Sequence, residues 1–215
     1  MTRTKKFFYN SLSTAIYQLV VMLVGFVTPR VLLQFYGSET NGLVSSINQF
    51  ITYFNLVEAG IAGAAVYSLY KPLAESNYKK INGIVSAAKK FYIQSGWIFT
   101  ALVVALAIIY PLFIKMDTLS APMIGILVLV LGAKGFLEFF TLAKYRVILT
   151  ADQKTYMVSI SSTVYVVLQM IIIVVLAYFR MNIVIIYTVS ILALFTRTII
   201  PVSYTHLDVY KRQIY

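Results

Sequence analysis

Lys134 and Glu138 stand four residues apart inside an apolar run from Ser120 to Val147. That spacing puts both side chains on one face of a helix, one turn apart. A lysine in the middle of such a run can hold an anion, and a carboxylate there can serve as its counter-charge or bind an ion. Two readings stand for the pair: a substrate-binding site, or two charges neutralising each other, since intramembrane charges pair with one another. Glu58 poses the same question in a second run, Asn41 to Leu73, which also carries Asn48, Gln49 and Asn55. An acidic residue at the centre of a membrane helix costs about 2.5 to 3.5 kcal/mol on insertion scales. Glu58 is therefore either a hydrogen-bonded structural carboxyl or a candidate for ion coupling, to sodium or to protons. Arg30, beside Pro29, is the remaining cation within an apolar run that could meet an anion; it projects roughly opposite the polar stripe of its own helix, where it would instead snorkel to the interface. Gln18, Asn48 and Gln49 are further polar groups set inside apolar runs, on helices that must turn them to water or protein.

The elements that would position these groups follow from composition. Hydrophobic residues make up 60% of the 215 residues and charged ones 12%, with mean hydropathy +0.83, far from the roughly 25% charge of soluble domains. Apolar runs beyond 18 residues make helices the spanning element, and barrel strands are excluded because they would show short alternating segments. The class is an all-α polytopic membrane protein. A net charge of +11 raises nucleic acid as a partner, but the charges fall between apolar runs and no basic-aromatic motif accompanies them, so no nucleic acid is expected. With no cysteine there is no thiol nucleophile or thiolate metal site. No HExxH or other reactive spacing occurs in the runs, so neither an enzyme nor a metal or other cofactor is expected. The start, MTRTKKFF, is basic, but the long run behind it reads as an uncleaved first span rather than a signal peptide.

Six helices are predicted, over about 7–36, 42–70, 91–114, 120–147, 156–179 and 183–200. With the N-terminus cytoplasmic, the inner segments hold Arg3, Lys5, Lys6, Lys71, Lys79, Lys80, Lys89, Lys90, Lys144, Arg146 and Lys154. The outer ends hold Arg30, Lys115 and Arg180. Eleven against three satisfies the positive-inside rule. Asn10, Thr14, Tyr17, Gln18, Gly25 and Thr28 form a polar stripe on the first helix, and Ser45, Asn48, Gln49, Thr52 and Asn55 one on the second. Ser159, Ser162, Thr163 and Gln169 form a third, on the fifth helix. Two striped helices in succession suggest a shared cavity. Gly60 and Gly63 suggest close helix packing through small side chains. The segment from Lys71 to Lys90 reads as an inner loop whose lysines anchor the topology, with an amphipathic turn on the membrane surface as the alternative, and the third helix, featureless from Ala101 to Ile114, as mostly lipid-facing. After Pro201 the character changes: SYTHLDVYKRQ, which holds the single histidine, His206, resembles an adapter-derived peptide at the ends of unrelated metagenomic translations. Residues 202–215 are accordingly expected to be a non-native or disordered tail.

The segments TPRVLLQFYGSETNGL and FNLVEAGIAGAAVYSLYKPLAE, with six spans ending in a basic inner border, resemble the N-terminal half of a polysaccharide flippase. These lipid-linked oligosaccharide exporters share a superfamily with the multidrug and toxic-compound extruders. The resemblance covers residues 1 to about 200. It implies that residues 1–201 are one six-helix lobe of a two-lobed exporter in the plasma membrane, with a C-terminal lobe missing from this chain. It further implies a substrate of undecaprenyl pyrophosphate carrying an oligosaccharide, destined for cell-surface polysaccharide. Lys134, then Arg30, would meet the pyrophosphate; Glu58 and Glu138 would be counter-charges or part of an ion-coupling site. The alternatives are an extruder of organic cations, which would need an uncompensated acidic site, and a membrane scaffold that transports nothing.

Overall fold

The computed structural model describes residues 3–114, 116 and 118–197. These residues are helical, with no strand among them. Seven α-helices are present rather than six: α1 (Arg3–Phe54), α2 (Ala59–Ala74), α3 (Tyr78–Phe113), α4 (Ala121–Leu137), α5 (Ala143–Ala151), α6 (Thr155–Tyr178) and α7 (Ile183–Ser190). Helix α1 joins α2 through a 3-10 turn, Asn55–Glu58, and α4 joins α5 through a π-helical turn, Glu138–Leu142. A second 3-10 turn, Ile191–Ala193, follows α7. Stretches within α1, α3 and α6, and the run Ala121–Thr141 that joins α4 to its π-helical turn, are long and apolar enough to cross a membrane; the segment Ile183–Arg197 is apolar but shorter.

Helix α1 is two limbs. Gly37 has φ 80° and ψ 173°, a left-handed conformation that glycine adopts without a Cβ penalty. Val21 and Asn48 line the same cavity, whereas a straight helix would hold them about 40 Å apart at 1.5 Å per residue. The chain therefore folds back at Gly37, close to the expected break between the first two helices. The first limb then runs parallel to α6. Lys6 donates to the Asp152 carbonyl oxygen at 2.9 Å at one end, and the Tyr36 hydroxyl donates to the Met181 carbonyl at 2.5 Å at the other.

The expected inner loop from Lys71 to Lys90 is largely helix. Lysine and alanine favour the helix, Pro72 sits inside α2, and the Asn77 side chain caps α3 by accepting from the Lys80 amide at 3.1 Å. Only residues 75–77 turn, with Ser76 at φ 52°. Between Ala101 and Ile114 helix α3 buries only Val103 and Ala107, which with Phe99 form its packed face. They pack on glycines of α4: a Cβ at Gly125 would lie 2.9 Å from the Ala107 carbonyl oxygen, and one at Gly132 or Gly135 would collide with Val103 or Phe99. Gly60 and Gly63, expected to serve such packing, face open space instead. Lys115 and the tail from 202 lie outside the described residues.

The turn between α5 and α6 is clamped to the start of α1. Asp152 meets Lys6 at 3.2 Å and Lys154 at 2.9 Å, and Asn10 donates to the Gln153 carbonyl while accepting from the Tyr156 amide at 2.8 Å. Partial burial raises the Asp152 carboxyl, but the hydrogen bonds and charges of Lys154 and Lys6 outweigh it and hold the group below the usual aspartate value. A depressed folded value means that the clamp contributes fully above the unfolded value of about 3.9 and is lost as pH falls through the folded one. Asp152→Asn is therefore expected to lower stability by about 1 kcal/mol at neutral pH. The gap between the two proteins should close on acidification below about pH 4, read as melting temperature against pH.

Candidate functional site: a cavity with one cation beside an ion chain

The two limbs of α1, together with α4, α6 and α7, enclose a cavity of about 560 Å³. Tyr17, Gly25 and Thr28 reach it from the first limb, and Asn41, Ser45 and Asn48 from the second. Gln169 enters from α6 and Ser190 from α7. The polar stripes of α1 thus divide along the helix: Asn10 and Thr14 bind the α6 end of the bundle, Thr14 by a 3.2 Å contact with Ser159; Tyr17, Gly25, Thr28, Ser45 and Asn48 line the cavity, and Gln18, Gln49, Thr52 and Asn55 do not. Gln169 lines it from α6, while Ser159 and Ser162 are buried in packing.

Lys134 is the one charged residue in the cavity wall, and no carboxylate lines it among the described residues. Its side chain is accessible from the cavity, and its Nζ lies 5.2 Å from the centre of the Tyr165 ring, within the range of a cation–π contact. Two hydroxyls at the wall, Thr28 Oγ1 and Tyr165 Oη, are buried without a hydrogen-bond partner. Unsatisfied buried hydroxyls are rare in folded proteins.

The Lys134–Glu138 ion pair, one of the two readings of their spacing, does not form among the described residues. Glu138 instead accepts from Arg146 Nη1 at 2.7 Å and from both Nη1 and Nη2 of Arg197, at 3.0 and 3.3 Å. Arg146 turns its other nitrogen, Nη2, to Glu58. The result is a chain of alternating sign, Glu58–Arg146–Glu138–Arg197. The physical reason is geometric: a guanidinium fork can donate two parallel hydrogen bonds to a carboxylate, and a lysine ammonium cannot. All four side chains are at most about a third exposed, from 12% for Glu58 to 31% for Arg146.

The chain ties together the irregular turns of the fold. Glu58 closes the 3-10 turn before α2, Glu138 opens the π-helical turn before α5, and Arg197 lies one turn past the 3-10 segment after α7. Single π turns inside helices recur at functional sites. Arg146 and Arg197 were legible only as border charges. The available signal was a charge count: two acids embedded in apolar runs each require a partner, and one lysine cannot serve both.

The remaining candidates lie elsewhere. Asn48 lines the cavity and donates to the Val44 carbonyl at 2.9 Å. Gln18, Arg30 and Gln49 are exposed and outside the cavity wall, because each is rotated off the face that its helix turns inward. Glu58 faces Arg146 rather than the cavity. No group of acidic or histidine side chains able to hold a metal ion occurs among the described residues. Compared with known proteins, the chain matches no family model, no curated protein and no solved structure.

Proposed function

We propose that this chain is the cavity-forming lobe of a membrane exporter that moves lipid-linked oligosaccharide, joined through pyrophosphate to undecaprenol, from the cytoplasmic to the outer leaflet. The observation that carries this reading is the cavity wall: many neutral donors and acceptors, a single cation, and no acid among the described residues. Sugar hydroxyls need many weak polar partners, and a pyrophosphate needs a cation. An oligosaccharide dragged through hydrocarbon would lose its water hydrogen bonds without replacement, so a polar lining is what its passage requires. The carrier's lipid tail can remain in the bilayer.

The same wall argues against a site for organic cations, since Glu58 and Glu138 are both held by arginines. Ion coupling through Glu58 would first have to release Arg146. With a negative cytoplasm, outward movement of an anion is favoured by about 2.3 kcal/mol per charge per 100 mV, so the membrane potential is a sufficient driving force to consider.

The test is binding of a fluorescent undecaprenyl-pyrophosphate oligosaccharide to the 215-residue chain in nanodiscs. Lys134→Gln is expected to weaken binding tenfold to a hundredfold, the worth of a charge-assisted hydrogen bond of about 1.5 to 3 kcal/mol. Arg30→Gln, outside the cavity wall, should leave it within a factor of about two. Equal binding by the wild type and Lys134→Gln sinks the reading.

A further inference from the structure

Glu138 lies one helical turn from Lys134, where an i, i+4 partner belongs, yet Lys134 makes no ion pair among the described residues. Each carboxylate oxygen of Glu138 already accepts from an arginine. Oε1 accepts from Arg146 Nη1 and Arg197 Nη2, and Oε2 accepts from Arg197 Nη1. Both cations lie beside Tyr165, with Lys134 Nζ 5.2 Å and the Arg197 Cζ 5.8 Å from its ring centre. The ring is 1% exposed and so fixed in place by its surroundings. Of the cluster's five charges, three are positive and two negative. The surplus is borne by Lys134, the member that lines the cavity.

We infer that Arg197 is a positioning residue: by occupying Glu138 it keeps Lys134 uncaptured, and so leaves the cavity with a cation available to an anionic group such as a pyrophosphate. Arg197 touches no ligand in this arrangement. It acts through Glu138, and both cations lie close to the Tyr165 ring. The inference rests on the reading of the cavity as an anion site, and it deepens that reading by naming what preserves the charge. It also accounts for an acid so near a site that must bind an acid: left unoccupied, Glu138 would neutralise Lys134 and repel the ligand.

The consequence is a rescue that a merely structural role would not produce. Arg197→Gln frees Oε2 of Glu138 for Lys134, whereas the double variant Arg197→Gln/Glu138→Gln removes the captor as well and still leaves Arg146 its partner Glu58. Two readouts on the full chain in nanodiscs separate the possibilities: affinity for inorganic pyrophosphate, and acylation of Lys134 Nζ by acetic anhydride at fixed pH, followed by mass spectrometry. Arg197→Gln is expected to lower both the affinity and the labelling about tenfold, and the double variant to restore both to within about twofold of the wild type. Arg197→Lys keeps the charge and loses the forked contact, so it should fall between; it serves if the glutamine variant does not fold. Unchanged labelling in Arg197→Gln and Arg197→Lys, or a double variant no better than the single, overturns the inference. If labelling falls and recovers as expected while no protein, wild type included, binds pyrophosphate, the positioning role stands and the anion-site reading falls.

Discussion

Replacing Arg146 by glutamine is expected to destabilise the folded chain by about 3 kcal/mol. Arg146 joins two carboxylates from different parts of the chain, Glu58 before α2 and Glu138 before α5. Without it Glu138 keeps Arg197, but Glu58 is left 12% exposed with no other ion pair among the described residues. Removing one partner of a buried pair costs about 3 to 5 kcal/mol, because the remaining charge has lost both water and its counter-ion. Arg146 is 31% exposed, which places the effect at the lower end. Glu58→Gln should cost less, since the guanidinium retains Glu138. In the double variant the two losses should fall short of additivity by at least about 1 kcal/mol, the signature of direct coupling. Thermal or denaturant unfolding in detergent checks the cycle. An Arg146→Gln cost under about 0.5 kcal/mol, or full additivity, would mean that the ion chain does not hold α2 against α5.

The second large effect belongs to the glycine face of α4. Leucine at Gly132 or Gly135 should disrupt the packing of α4 on α3. Even a Cβ at either position overlaps the Val103 or Phe99 side chain, and Phe99, 0% exposed, has little room to yield. Overpacking a dense interior costs about 1 to 3 kcal/mol and sometimes more; here three further carbons follow a Cβ that already collides, so a loss of about 3 kcal/mol or failure to accumulate folded protein is expected. Gly63→Leu provides the contrast. Nothing lies within 4 Å of its Cβ position, so the change should be near neutral and, by the helix propensity of leucine over glycine, slightly stabilising. A melting-temperature series over the three variants decides the matter; similar losses at Gly63 and Gly135 would contradict the packing described.

These effects show where a linear reading succeeds. The apolar runs identify helices because an uninterrupted hydrophobic stretch has few other ways to satisfy its backbone in a bilayer. The polar stripe of α1 was legible because helical periodicity is a local property: Tyr17, Thr28 and Asn48 do reach one cavity. Lys134 stood out for the same reason, as a charge surrounded in sequence by apolar residues, and it is the cation of the cavity wall. The kink at Gly37 falls between the expected helices 7–36 and 42–70, although its left-handed backbone was not foreseen.

Boundaries fared worse where the cue was charge. The lysines between residues 79 and 90 suggested an inner loop, but charge does not oppose helix formation, and α3 begins at Tyr78 with a capping asparagine before it. Small residues misled in the same way. Gly63 and Gly132 look alike in sequence, and only the neighbour that each meets decides which one permits close approach.

By itself, then, the sequence determined that the chain is helical and apolar, which faces of its helices are polar, and that Lys134, Glu138 and Glu58 are charges requiring an explanation. Those properties depend on residues within a few turns of one another. Only the tertiary structure decided which charges pair. Glu138 had a neighbour at ideal helical spacing in Lys134, yet it is held by Arg146, eight residues on, and by Arg197, fifty-nine residues on. A forked guanidinium brought in by packing outcompetes a nearby ammonium, and sequence separation carries no information about which guanidinium will arrive. The charge left in the cavity is therefore a property of the whole fold, set by what the arginines remove from Lys134.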